Sequence, residues 1–168
     1  MTHHKKTPKD IYVISELLET EYASPRHNNK KNPLDELIFI ILSVRTSEKL
    51  YMNAYRSYKT AFPRHQLALE ADIDTIEKAI RSAGLAKQRA SAIKKTLTKI
   101  RDDFGKLSLS KLKGNDDKEI EAYLSTLPSV GTKVARCVMM YSLGLPVFPV
   151  DTHVWRISRR IGWVRATN

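Results

Sequence analysis

A short turn between two amphipathic runs constrains this chain more than any other feature. Residues 119–160 read EIEAYLSTLPSVGTKVARCVMMYSLGLPVFPVDTHVWRISRR. The spacing predicts a helix running to Leu127 and Pro128, a hairpin through Pro128, Ser129, Val130 and Gly131, and a second helix over Thr132–Leu143. A Gly/Pro-punctuated apolar loop follows, and Asp151 opens a third helix. Gly131 is free to take positive φ, and such a hairpin turns backbone N–H groups outward beside a helix N-terminus, which suits a phosphate. Lys133 lies just inside the second helix.

The rest of the chain reads as helices. Ile11, Ile14, Leu17, Leu18 and Tyr22 keep helical spacing behind Pro8, so this segment is amphipathic and needs a surface to pack on. A polar linker, SPRHNNKK, comes next. The apolar run 37–42 fits a buried strand or a buried helix by periodicity alone, and its entrance decides: Asn32 is a good N-cap, Pro33 a good first residue, and Asp35 and Glu36 complement the helix dipole. This predicts a helix apolar on nearly every face at the centre of an all-α domain.

Thr46 or Ser47 caps the next helix, whose stripe of Tyr51, Ala54, Tyr55, Tyr58 and Phe62 is read as core packing rather than a base-stacking platform. Pro63 ends it. Residues 73–83 form a short helix stopped by Gly84. Residues 86–104 form a regular one with Ala86, Ala90, Ile93, Leu97, Ile100 and Phe104 inward, and with Lys87, Arg89, Lys94, Lys95, Lys99 and Arg101 on its other faces. Residues 106–117 are expected to be a polar loop. The expected organisation is a first helix and linker over 1–31, part of a second lobe, then a helical domain over 32–150, then the aspartate-led helix over 151–168.

A net charge of +11 points to a polyanionic partner, and the basic face of the long helix suits diffuse attraction to a duplex. The single Cys137 excludes an internal disulfide and any multi-cysteine metal site, so a reducing, cytoplasmic setting is expected. No apolar run is long enough for a membrane span.

Two side chains carry candidate chemistry. A lysine amine is a nucleophile only when neutral, and a free one has a pKa of about 10.4. Lys133, at a helix N-terminus and beside Val134 and Ala135, meets two effects that disfavour the ammonium: the positive end of the dipole and partial desolvation. Asp151 reads as an N-cap. A carboxylate held that way stays ionised and also serves to stabilise positive charge developing nearby.

The run Leu127-Pro128-Ser129-Val130-Gly131-Thr132-Lys133-Val134-Ala135, with Gly144, Pro146, Pro149, Val150-Asp151-Thr152-His153 and Arg156 after it, resembles the helix-hairpin-helix plus Gly/Pro-Asp signature of the endonuclease III group of DNA glycosylases. The resemblance implies a bifunctional base excision repair enzyme, a glycosylase with abasic-site lyase activity on oxidised pyrimidines. It implies a monomer that binds double-stranded DNA carrying a damaged base or abasic site near the nucleoid, with no membrane role. Lys133 would form the Schiff base and Asp151 would assist base departure. Pro128, Ser129, Val130, Gly131 and Thr132 would clamp a phosphate, with a monovalent cation on the hairpin carbonyls. Leu85 would be the wedge that enters the base stack, although it also suits a contact after a helix C-cap. Lys87, Arg89 and His153 are further candidate DNA contacts, and no metal-ligand set is expected at His153.

The sequence departs from the family pattern at three places. Ser129 stands where a hairpin glycine is usual, and a serine held at positive φ costs on the order of 1 kcal/mol. Arg45 or Val44 stands where a glutamine usually fills the gap left by the flipped base. The family's iron-sulfur segment has no counterpart before Asn168, and its cluster cannot form from Cys137 alone, so a short or truncated form is expected. Two alternatives stay open: a non-catalytic helix-hairpin-helix DNA-binding relative that has lost activity, and a basic structural protein of a nucleoprotein particle.

Overall fold

The computed structural model describes residues 8–23 and 27–164. Among these the secondary structure is helical throughout, with no strand. The helices are α1 (Pro8–Tyr22), α2 (Pro33–Ser43), α3 (Glu48–Ala61), α4 (His65–Glu70), α5 (Ile73–Ile80), α6 (Ala86–Phe104), α7 (Asp117–Ser125), α8 (Thr132–Leu143) and α9 (Thr152–Arg160). The chain divides into two compact units, residues 29–149 and a smaller one made from 1–28 with 150–168. No helix among the described residues is long and apolar enough to cross a membrane.

In the larger unit α2 is the central element. Asn32 caps it, its Oδ1 accepting from the N–H groups of Leu34 and Asp35, and Pro33 is its first residue. Residues 36–42 are all buried, and α3, α6 and α8 pack around them. The α3 stripe is core: Phe39 meets Tyr51 and Tyr55 edge-on, each with ring centroids 5.2 Å apart. Glu36 lies inside this helix with its carboxylate accepting the Lys30 N–H at 2.5 Å, and burial pushes its pKa up.

Two segments differ from expectation. Residues 73–83 tighten to a 3-10 turn, Arg81–Ala83, before Gly84. The expected loop over 106–117 carries another, Ser110–Leu112, because Leu109 and Leu112 are buried and pull the chain inward. Helix α4 has too short an apolar pattern to show in the sequence. In the smaller unit, Ile11, Leu17 and Leu18 of α1 are more than half exposed.

A charge cluster fastens α2 to α3 and α4. Asp35 Oδ1 lies 3.0 Å from Lys59 Nζ and 2.9 Å from His65 Nε2, and Tyr58 Oη lies 3.1 Å from His65 Nδ1. Burial of Asp35 alone would raise its pKa, but the His65 and Lys59 contacts outweigh it and hold the carboxyl well below the usual carboxylate range. A depressed folded pKa stabilises the protein above the unfolded value, about 3.9, and that stability is lost as pH falls toward the folded one. Replacing Asp35 with Asn should therefore lower unfolding free energy at neutral pH by about 1–3 kcal/mol in urea titrations. The difference from wild type should shrink below about pH 4.

Candidate functional site

The hairpin between α7 and α8 lies in the larger unit. Leu127 and Val130 are buried and fix it to the core, and the Val130 N–H donates to the Leu127 carbonyl at 3.1 Å. Buried Thr96 of α6 directs its hydroxyl to the Pro128 carbonyl at 3.4 Å. The left-handed residue is Ser129, at φ 63°, whereas Gly131 is extended at φ −93°, ψ 178°. The freedom that the sequence offered at Gly131 is not used, and the positive φ falls on Ser129, the position where the family resemblance places a glycine. The turn needs its reversal one residue after Pro128, and a β-carbon on Gly131 would meet open space.

Gly131 is the N-cap of α8 and supplies no side-chain hydrogen bond. The first-turn N–H groups of an α-helix have no intrahelical acceptor, so here they stay available to an outside one. Thr132 is exposed, and Lys133, the second residue of α8, is half-buried between that solvent-facing turn and buried Val134 and Ala135. An amine therefore emerges beside a set of free backbone donors.

A second feature faces the hairpin. Ile41, Val44, Arg45, Leu85, Gln88, Arg89, Ala92 and Ser129 line a concavity of about 300 Å³. Among the described residues, the non-glycine positions with positive φ are Ala23, Arg45, Leu85 and Ser129, and the last three all line it. Each left-handed non-glycine residue costs roughly 1–2 kcal/mol, and such strain gathers at functional sites. Leu85 is 58% exposed and Val44 39%, so the apolar tips at this rim lack cover.

Arg89 is the main correction. Expected to contact DNA, it is 7% exposed, and its guanidinium donates to the carbonyls of Ile41, Leu42 and Val44 and to Thr46 Oγ1. The α2 carbonyls end in the interior and need donors; Arg89 supplies them, so its charge is unavailable to a phosphate. The signal was in the sequence. On α6, position 89 falls beside the inward face of 86, 93 and 100 rather than opposite it. Thr46, read only as a possible cap, instead bridges Arg89 to the Ala83 carbonyl, and Ser47 is the N-cap of α3. Lys87 is exposed, as a DNA contact requires.

In the smaller unit Asp151 is the N-cap of α9, its Oδ1 accepting the His153 and Val154 N–H groups at 2.9 Å each. His153 is exposed, and its Nδ1 lies 3.0 Å from Arg156 Nη2. Among the described residues no group of three or more His, Cys, Asp or Glu side chains could hold a metal. The sequence offers an iron-sulfur cluster one thiol, Cys137, which is buried in α8, so these residues do not fit that group. The hairpin carbonyls of Leu127 and Pro128 each accept one donor and keep a second lone pair, a donor type that fits a monovalent cation.

An all-helical fold with a helix-hairpin-helix, a lysine at the start of its second helix and an aspartate cap downstream defines a protein of the helix-hairpin-helix DNA glycosylase class. The chain belongs to the HhH-GPD superfamily of base excision DNA repair proteins, whose family pattern matches residues 38–168. It is 39% identical over 138 residues to an Arabidopsis thaliana protein whose name places it among the DNA glycosylases, covering 82% of this chain and 47% of that one. It is 29% identical over 141 residues to endonuclease III of Thermotoga maritima, covering 84% and 62%. The chain thus spans about half to three-fifths of the length of these curated relatives. Among solved structures, a trapped endonuclease III–DNA covalent intermediate superposes with a TM-score of 0.78 at 25% identity, over 95% of this chain and 71% of that one. A non-covalent endonuclease III–DNA complex superposes at 0.77 with 27% identity, over the same shares.

The strained turn supplies a test. Ser129→Gly should raise stability by about 0.5–1 kcal/mol in urea titrations, because glycine takes positive φ without the β-carbon penalty. Gly131→Ala should change it by less than about 1 kcal/mol, since an extended backbone in open space accommodates alanine.

Proposed function

We propose that this chain is a DNA glycosylase with abasic-site lyase activity that acts on oxidised pyrimidines in duplex DNA. The observation that carries the reading is the position of Lys133, half-buried at the second residue of α8 beside uncapped N–H groups. Those donors suit a backbone phosphate, and an amine held next to a phosphate lies near the sugar attached to it. A net charge of +11 favours association with the duplex.

In this reading the damaged base leaves the stack, and the lone pair of the Lys133 amine attacks C1′ of its deoxyribose. The bond from C1′ to the base breaks, and the base leaves with the bonding pair and takes up a proton. The amine loses its own proton, the ring oxygen departs from C1′, and a Schiff base forms. Loss of a proton from C2′ then expels the 3′ phosphate oxygen, nicking the strand, and water releases the lysine. Asp151, whose Oδ1 accepts hydrogen bonds from the His153 and Val154 N–H groups, would offset positive charge on the sugar as the base departs. A monovalent cation on the carbonyls of Leu127 and Pro128 would add positive charge beside the phosphate.

Borohydride trapping on abasic duplex tests the lysine. Wild type should give a covalent adduct, and Lys133→Gln should give none; an adduct that persists in the variant overturns the assignment. Asp151→Asn keeps the cap and removes the charge, so base release should fall by about 10²-fold or more. Nicking of a preformed abasic site should fall much less, and the two rates measured on matched duplexes separate these effects.

A further inference from the structure

We propose that Arg89 and Thr46 are positioning residues that hold the turns bearing Arg45 and Leu85 as one rigid probe of the duplex. The Arg89 side chain grips the Arg45-bearing turn directly and reaches the Leu85-bearing turn through Thr46. The Arg89 backbone N–H donates to the Leu85 carbonyl at 3.0 Å, while its side chain donates to the carbonyls of Ile41, Leu42 and Val44, the last at 2.5 Å. Thr46 makes a second link: its hydroxyl accepts from Arg89 Nη2 at 2.8 Å and donates to the Ala83 carbonyl at 2.9 Å. The Thr46 N–H closes its own turn onto the Ser43 carbonyl at 3.1 Å.

The acceptors explain the choice of residue. The hydrogen bonds of the Arg89 side chain go to backbone carbonyls and one hydroxyl, so what they specify is where the backbone runs. A planar guanidinium with several fixed donors reaches carbonyls on successive residues at once, which a lysine ammonium does not reproduce. The residues displayed by the two turns, Arg45 at φ 53° and Leu85 at φ 48°, hold backbone conformations that an untethered loop would relax.

A side chain that enters a base stack works best if its backbone is already in place, because a mobile loop must be ordered in every encounter. The coupling therefore belongs to the opening of the duplex and not to the chemistry on an exposed sugar. The inference rests on the DNA-repair reading above, and its test keeps the two apart. Thr46→Val and Arg89→Lys are made in the full chain. Binding is measured to a duplex with a tetrahydrofuran abasic analogue opposite 2-aminopurine and to the intact duplex, and borohydride trapping is run on single-stranded and duplex abasic DNA.

Wild type is expected to prefer the analogue duplex and to raise 2-aminopurine fluorescence on binding. Both variants should lose about tenfold to a hundredfold of that preference, and the fluorescence rise with it, while trapping on single-stranded abasic DNA stays at the wild-type level. Wild-type preference retained in the variants overturns the proposal, as does an equal loss of trapping on both DNA forms, which marks general damage. If Arg89→Lys does not fold by circular dichroism, Thr46→Val decides. If wild type traps neither DNA form, the lyase reading fails, and the binding preference and fluorescence still decide the coupling.

Discussion

The larger unit depends on the enclosure of α2. A helix whose residues 36–42 are all buried contributes most of its stabilisation by removing apolar surface from water on every side, so other helices have to surround it. Helices α3, α6 and α8 do so. Enclosure carries a cost at the ends, because the terminal carbonyls and N–H groups of a buried helix still require partners. Asn32 meets this at the N-terminus and Arg89 at the C-terminus. The candidate site grows out of that second end.

Helix α6 shows how the same residue type takes opposite roles. Arg89 and Lys94 both turn inward to backbone carbonyls, Lys94 reaching those of Leu69 and Ala71 where α4 ends. Lys87 and Lys95 stay exposed. A cation at a helix C-terminus complements the dipole and satisfies open acceptors, so part of the positive charge is internal structure and the remainder is the field a polyanion meets.

The two catalytic candidates sit at helix N-termini with contrasting caps. Asp151 fills the donors of α9 with its own carboxylate, which fixes the side chain and leaves that helix start occupied. Gly131 fills none at α8, so the donors beside Lys133 remain open. The difference is one of side-chain chemistry on similar backbones, an acceptor with reach against no side chain at all.

Much of this was legible in the residues. Asn32 and Pro33 with the acids after them marked α2 as a helix, the alternating threes and fours marked α6, and the spacing from Leu127 to Asp151 marked the hairpin and the capped α9, because caps and periodicity act over a single turn of chain. What the sequence determined by itself is the helical class, the element that had to be buried, and the residue types at each cap. Only the tertiary structure decided which carbonyls Arg89 meets, and that Arg45, Leu85 and Ser129 share one rim. Those outcomes depend on carbonyls and turns brought together from distant parts of the chain, and local propensity carries no record of which distant acceptor a donor will meet.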